Sequence, residues 1–324
     1  MLKPSCPVSV ILTVFEREKF LATAIGSVLR QTFRDYEIIV SDDSNLPAIR
    51  SCCESFQRPD LICYRSNPSR LGAPLNIRAA LQEAKGRYIA ILNDDDFWER
   101  DFLEKLVPPL AEDPQRVIAF SDHWIMDGAG KIDQRATDLN SRRYRRIDLA
   151  RGDVDDPARF VLDKNGVPLA MAALFRQDAL DLTLLRREVA GAYDLWLACA
   201  LAATGGKFYY LPERLTRYRV HPASESARSS PDKSAPMIFI FDQLLRFGWF
   251  PEMRGLLARR LAEALHDQGR DLLSFGERAQ ARCYFQKALK IYPHWKATLT
   301  WFMTWFPERA RGNLVTVGRA LRRG

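Results

Sequence analysis

Apolar residues in the first hundred positions alternate between two periods. Residues 8–15 (VSVILTVF) form a β-branched run with little polar interruption, the pattern of a strand buried on both faces. Residues 20–30 then place Leu21, Ile25, Val28 and Leu29 at helical spacing, and 36–40 form a second short strand ending in Ser41, Asp42, Asp43 and Ser44. A helical pattern over 74–84 is closed by Gly86, and the strand at 88–92 runs into Asn93, Asp94, Asp95 and Asp96. This alternation predicts an α/β fold with a mostly parallel sheet covered by helices, whose ligands bind outside the carboxyl ends of the strands. Both acidic groups stand at such ends.

Strands at 117–120, 170–175 and 208–211, a tight turn at 127–130 and a helix over 193–203 carry the pattern to His221. Residues 135–156 are dense in Arg and Asp with little apolar periodicity, and are expected to form a long mobile loop able to close over a ligand. Ser, Pro and charge then mark a linker, so the expected organisation is a first domain at 1–226, a linker at 227–237 and an all-α region at 238–324. In the last region Leu265, Gly269, Leu272, Ala281, Phe285, Ala288 and Pro293 fall on the positions of one tetratricopeptide-type helix pair.

Composition narrows the class. With 324 residues, 47% hydrophobic and 27% charged, the chain has material for a dense core and is not a disordered protein. Its excess charge is local: 254–324 holds fourteen basic and five acidic residues, leaving the rest near neutral. Trp295, Trp301, Phe302, Trp305 and Phe306 lie among these cations, which suits an anionic membrane surface, while filling a seam between helices is the open alternative. No nucleic-acid partner is expected. There is no apolar stretch of membrane-spanning length, the first strand meets charge at residues 16–19 with no small-residue cleavage site, and the six cysteines lack metal or disulfide spacing. A cytoplasmic protein is expected, in peripheral contact with the inner face of the membrane.

Three adjacent carboxylates at 94–96 repel one another unless solvated or neutralised, and a hard divalent cation neutralises them; a solvated acidic turn capping the next helix is the plainer reading. The second cluster, 41–44, offers Asp and Ser to the imide edge of a pyrimidine and to ribose hydroxyls. A nucleotide bridging the two would set its base at the first and a metal-bound diphosphate at the second. No Gly-x-Gly-x-x-Gly and no Gly-x4-Gly-Lys occurs, which removes the usual phosphate cradles.

With these pieces the sequence resembles the family 2 inverting glycosyltransferases of the A-type fold. The resemblance is carried by 8–17, by 24–32 (AIGSVLRQT), by Asp42-Asp43-Ser44, by 67–76 with Leu71-Gly72, by 93–98 and by 211–221, in the family's order across roughly 7–226. It implies a transfer from a nucleotide-diphosphate sugar, a UDP- or dTDP-sugar being favoured, to a saccharide or glycolipid acceptor in cell-surface polysaccharide or glycolipid synthesis. By the same resemblance Thr13, Phe15 and Asp43 with Asp42 hold the base, and Glu16, Arg17, Asn76 and Asp94 contact the rest of the donor. Arg217 and Arg219 face the diphosphate, and Asp95 with His221 holds Mn2+ or Mg2+. Two departures stand out: Asn93 replaces the first carboxylate of the family's Asp-x-Asp motif, and Glu16 stands where Asn or Asp is common. Where the family carries an acidic pair shortly before a Leu-Trp step, the stretch here is Gly191-Ala192-Tyr193-Asp194-Leu195-Trp196-Leu197, with Ala192 at the usual position of the base; this leaves Asp194 as the candidate base, kept ionised by the helix N-terminus. Asp122 and Trp124 are candidates for the acceptor side. A metal-dependent hydrolase or nucleotidyltransferase using the same crevice, and a non-catalytic scaffold, remain as other readings.

Overall fold

The run Val8–Val14 forms strand β1, with six of its seven residues fully enclosed, as a central strand covered on both faces requires. In this computed structural model, which describes residues 7–221, 230–293, 298, 300–302 and 304, β1 is followed by α1 (Glu18–Leu29), β2 (Tyr36–Asp42), α2 (Pro47–Ser55), β3 (Ile62–Ser66), α3 (Ala73–Leu81) and β4 (Tyr88–Asn93). β1 pairs in parallel with β2 and β4, and Thr13 stands opposite both Ser41 and Asn93. The two acidic strand ends therefore flank the end of β1. Leu21, Ala24, Ile25 and Val28 of α1 pack with Val10, Leu12, Ile38, Val40, Ala90 and Leu92 in one core. Gly86, just before β4, must approach β1 closely, since an added Cβ would lie 2.3 Å from the Ser9 backbone nitrogen.

The chain continues through β5 (Phe97–Trp98), α4 (Phe102–Glu112), β6 (Arg116–Met126), α5 (Gln134–Arg143), β7 (Gly152–Asp153), α6 (Pro157–Lys164), α7 (Leu169–Ala172), β8 (Ala173–Arg176), α8 (Tyr193–Ala203) and β9 (Lys207–Arg219). The nine-stranded sheet has the order β3-β2-β1-β4-β8-β6-β9-β5, with β7 also on β9. It is α/β as expected but more mixed than the sequence suggested, because β8 runs against β4 and β6, and β5 and β7 run against β9. Period and composition identify a strand; its direction depends on where the connecting chain returns. Two reversals through β8 leave β6 and β9 parallel to β4, so all of these strands end on one edge.

The expected mobile loop at 135–156 is instead largely ordered structure. α5 is capped by Asp133, whose side chain accepts from the Ala136 amide, and Thr137 and Ser141 are buried. Arg146 is buried against Asp122 of β6 at 2.8 Å, and the Ile125 amide donates to the Thr137 hydroxyl at 2.9 Å. The anchors are polar, so no apolar period reveals them.

By packing, the chain divides into two compact units, Met1–Arg228 and Ser229–Gly324. Within the second, α9 (Ala235–Phe247) is followed by α10 (Arg254–Ser274) and α11 (Arg278–Ile291). Leu272, Ala281 and Phe285 form a small core against which Trp301 packs, and Gly269 lies under the Phe285 ring, where a Cβ would come within 2.5 Å of it. A helix hairpin forms at the expected positions, and hairpin packing of this kind does not by itself distinguish a tetratricopeptide repeat. Phe302 is exposed, whereas Trp295, Trp305 and Phe306 lie outside the described residues. No described helix is long and apolar enough to cross a membrane.

Candidate functional site

At the shared strand edge, the first acidic pair is held by its own neighbourhood. The Asp42 carboxylate accepts from the Ser44 amide at 2.8 Å and from the Tyr64 hydroxyl at 2.9 Å. Asp43 accepts from the Leu71 and Gly72 amides at 2.7 and 2.8 Å and from the Asn67 side chain at 3.0 Å, which fixes the 67–72 loop beside it. That loop carries Arg70, whose guanidinium lies 4.0 Å over the Phe15 ring. Thr13 is half-buried at the end of β1. Asn76, expected at the donor, is buried and bonded to Ser41 and Asn67, so it braces the loop instead of facing the crevice. Glu16 is exposed at φ 58°, a left-handed conformation in which Asn and Asp are more at ease.

The second acidic group is a buried cluster, not a solvated turn: Asp94, Asp95 and Asp96 are all at most 6% exposed. Arg17 pairs with both Asp94, at 3.3 Å, and Asp95, while the Phe15 amide donates to Asp94 at 3.2 Å. Burial pushes the Asp94 carboxyl up to about 7, with Arg17 opposing the rise and Asp95 adding to it. Burial and the neighbouring Asp95 also raise Asp96, which accepts from the Arg219 amide at 2.8 Å and the Asn93 side chain at 3.1 Å. A cation entering here would relieve carboxylates that the fold has crowded together.

His221, just beyond β9, completes the cluster with its Nε2 3.2 Å from an Asp95 oxygen. Those two atoms are spaced as neighbouring ligands of one ion would be. Among the described residues no group of three His, Cys, Asp or Glu side chains forms a complete cage. The donor set therefore fits an ion shared with substrate oxygens, the usual habit of Mg2+ at phosphates.

The two arginines expected at the diphosphate go to different places. Arg219 is buried, donates to the Asp95 carbonyl at 2.9 Å and the Gly128 carbonyl at 3.1 Å, and lies 4.4 Å over Phe20, so it clamps the acidic turn to the 127–130 turn. Arg217 is bonded to Glu99 at 2.6 Å, away from the carboxylate cluster.

The start of α8 also differs from expectation. Tyr193, which the sequence reading passed over, is the residue that reaches the cluster: its hydroxyl donates to Asn93 Oδ1 at 3.1 Å, and burial together with the nearby carboxylates raises its pKa well above the ordinary value. The Asn93 amide oxygen is thus occupied within the protein. Asp194 accepts only from the Leu195 amide, at 2.7 Å, among the described residues. Burial raises its carboxyl, the reverse of the shift expected from the helix N-terminus, since desolvation outweighs the dipole. Tyr193 adjoins the residue the sequence singled out, so helix phase alone separates the two; Arg70 lay in a loop without a pattern to mark it. Asp122 is bound by Arg146 and Ser141, while Trp124 remains half-exposed beside Arg214.

Comparison with known proteins agrees with this geometry. Residues 9–181 match the sequence model of the family described as Glycosyl transferase family 2. An uncharacterized glycosyltransferase of Nostoc sp. is 26% identical over 265 residues, 75% of this chain and 77% of that protein. An Escherichia coli UDP-Glc:alpha-D-GlcNAc-diphosphoundecaprenol beta-1,3-glucosyltransferase, WfaP, is 34% identical over 91 residues, 28% of this chain and 36% of that one. Among solved structures, S. aureus TarS 1-349 superposes with a TM-score of 0.62 at 16% identity, covering 88% of this chain and 81% of TarS. The mannosyltransferase PcManGT from Pyrobaculum calidifontis, solved with GDP-Man and Mn2+, does so at 0.60 and 17%, covering 99% and 82%. A family match over more than half of the chain, joined to two acidic strand ends on one sheet edge, makes this protein a member of glycosyl transferase family 2 with the A-type fold.

Proposed function

We propose that this chain transfers a sugar, with inversion, from a nucleotide-diphosphate sugar to a hydroxyl of a saccharide or glycolipid acceptor in cell-surface polysaccharide or glycolipid synthesis. The observation that carries the reading is the convergence of the Asp42/Asp43 pocket and the Asp95/His221 pair on the two sides of the β1 end. Residues 1–226 would perform the reaction, followed by a linker and a helical region whose first helix, α9, begins at Ala235, inside the linker expected at 227–237, and not at 238. Relatives that act on UDP-glucose favour a UDP- or dTDP-sugar, while the solved neighbour with GDP-Man keeps guanine in the test.

In this reading the base displaces the Arg70 guanidinium from the Phe15 ring and bonds to Asp43 with Asp42 and Thr13 near it, while Arg17 releases Asp94 and Asp95 to meet the diphosphate. Asp95 and His221 would hold Mn2+ or Mg2+, which stabilises charge on the leaving diphosphate. Arg219 keeps the acidic turn in place through backbone carbonyls. Asp194 takes the proton of the acceptor hydroxyl; a carboxyl raised by burial is a stronger base once ionised than one held low by a dipole. Turnover of UDP-, dTDP- and GDP-sugars with Mn2+ or Mg2+ against saccharide and lipid-linked acceptors tests the reading. Absence of nucleotide binding across the panel would overturn it.

A further inference from the structure

The turn that delivers Tyr193 to the sheet edge is strained. Ala190 adopts φ 39° and ψ −129°, a backbone conformation open to glycine and costly for a residue with a Cβ. Such a conformation persists only where its surroundings hold it. On one side the Trp196 indole N–H donates to the Leu184 carbonyl at 2.6 Å, with Leu185 and Val189 fully buried. On the other the Tyr193 hydroxyl donates to Asn93 Oδ1 at 3.1 Å, which ties the start of α8 to the end of β4.

From Asn93 the connection runs on. Asn93 Nδ2 donates to Asp96 Oδ2 at 3.1 Å, Asp96 Oδ1 accepts from the Arg219 amide at 2.8 Å, and the Arg219 side chain donates to the Asp95 carbonyl at 2.9 Å. Both oxygens of Asp96 are thus engaged inside the protein, and the first residue of α8 is joined to the backbone of Asp95 by a continuous series of hydrogen bonds. The series needs a side chain at position 93 that accepts through one atom and donates through another. Asn does both. An ionised Asp there would still accept from Tyr193, but it has no donor for Asp96 and would set a second carboxylate against it. Tyr193 is 7% exposed and Asp96 1%, so water is a poor substitute for either bond, and a lost partner leaves a buried polar atom unpaired.

We infer that Tyr193 is a positioning residue for the transfer: through Asn93 and Asp96 it fixes the start of α8, and Asp194 with it, against the acidic turn at 93–96, and the amide at position 93 carries this link instead of binding an ion. The role in transfer rests on the proposed transferase reading, but the link does not. Hydrogen exchange of the full chain, read by mass spectrometry in the wild type and in Tyr193→Phe, tests the link directly. Deleting only the hydroxyl should speed exchange by about 3–10-fold in 187–196 and in 93–98 alike, the scale of one lost net hydrogen bond. Faster exchange confined to 187–196, or no change in either segment, would overturn the inference. In turnover, Tyr193→Phe should lower kcat by about 10-fold or more while donor KM and UDP affinity stay unchanged, as expected for misplaced groups. Asn93→Asp should lower kcat similarly, although it restores the carboxylate of the family's motif. The double variant should be no slower than the slower single one, because both changes cut the same link. Wild-type kcat in either single variant, or a double variant slowed by the product of the two single effects, would overturn the positioning role. Coupled exchange with no nucleotide sugar turned over would uphold the link and sink the transferase reading instead.

Discussion

Asp95 and Asp194 are both carboxylates near the sheet edge, yet their surroundings assign them opposite tests. Asp95 meets His221 and Arg17, so Asp95→Ala should abolish metal-dependent turnover and the metal affinity measured by calorimetry with UDP present, while the circular dichroism spectrum stays unchanged. Full turnover with Mn2+ or Mg2+ would remove Asp95 from the metal site. Asp194 touches neither Arg17 nor the cluster, so Asp194→Asn should leave donor and metal affinity intact and lower kcat by about 100-fold or more, the scale of lost general-base help. Near-normal kcat in that variant would mean that another group takes the proton. His123 offers a test outside the site. Burial, reinforced by the Arg146 charge, holds its imidazole neutral down to about 3, below the ordinary 6.5. The unfolded chain therefore gains a proton that the fold refuses, and this contribution to stability is fully present above about pH 6.5 and lost as pH falls toward 3. Denaturant midpoints should fall between pH 6.5 and 4.5 in the wild type and fall less in His123→Gln. Equal slopes in the two proteins would refute the assignment.

At the scale of elements, the 134–149 segment is fastened by polar anchors, among which the Arg146–Asp122 ion pair is buried on both sides. Asp122 is driven upward by burial but held below the usual carboxylate range by Arg146 and Ser141, and Arg146 itself is 2% exposed. Removing the cation strands a buried carboxylate, so Arg146→Ala should destabilise the fold by about 3–5 kcal/mol, whereas replacing an exposed arginine of the same stretch, Arg143, should cost little. Chemical denaturation of the two variants decides the matter; equal costs would mean that α5 is held by other contacts. The same pair explains why this stretch escaped recognition in the sequence. Helices and strands that bury apolar faces, such as α1 and β4, write a period into the chain, but an element fastened by Asp133, Thr137, Ser141 and Arg146 looks like a polar loop.

Over the whole molecule, the net charge of +8 is concentrated in 254–324, and exposed Phe302 lies in that stretch. Trp301 is taken up by packing against the α10/α11 core, which transfers one of the proposed membrane aromatics to the seam. The peripheral-membrane proposal accordingly rests on charge and on the remaining aromatics. Full-length protein should float with anionic liposomes at low salt and be released as salt rises, because surface attraction is screened within a Debye length. Failure to float at low salt would end that proposal.

The existence and order of β1, α1, β2 and β4, and the placing of Asp42, Asp43, Asp94 and Asp95 at strand ends, were legible in the sequence because each rests on neighbours a few residues apart. The start of the second unit's hairpin was legible for the same reason. Strand direction was not: β8 reverses against β4 through contacts between residues far apart in the chain. Nor could sequence show that Arg219 serves the backbone of the acidic turn, that Asn76 braces a loop, or that Tyr193 and not Asp194 reaches Asn93. Local periodicity reports which faces are apolar; the orientation of a polar side chain is decided by whichever distant donor or acceptor the completed fold leaves within about 3 Å.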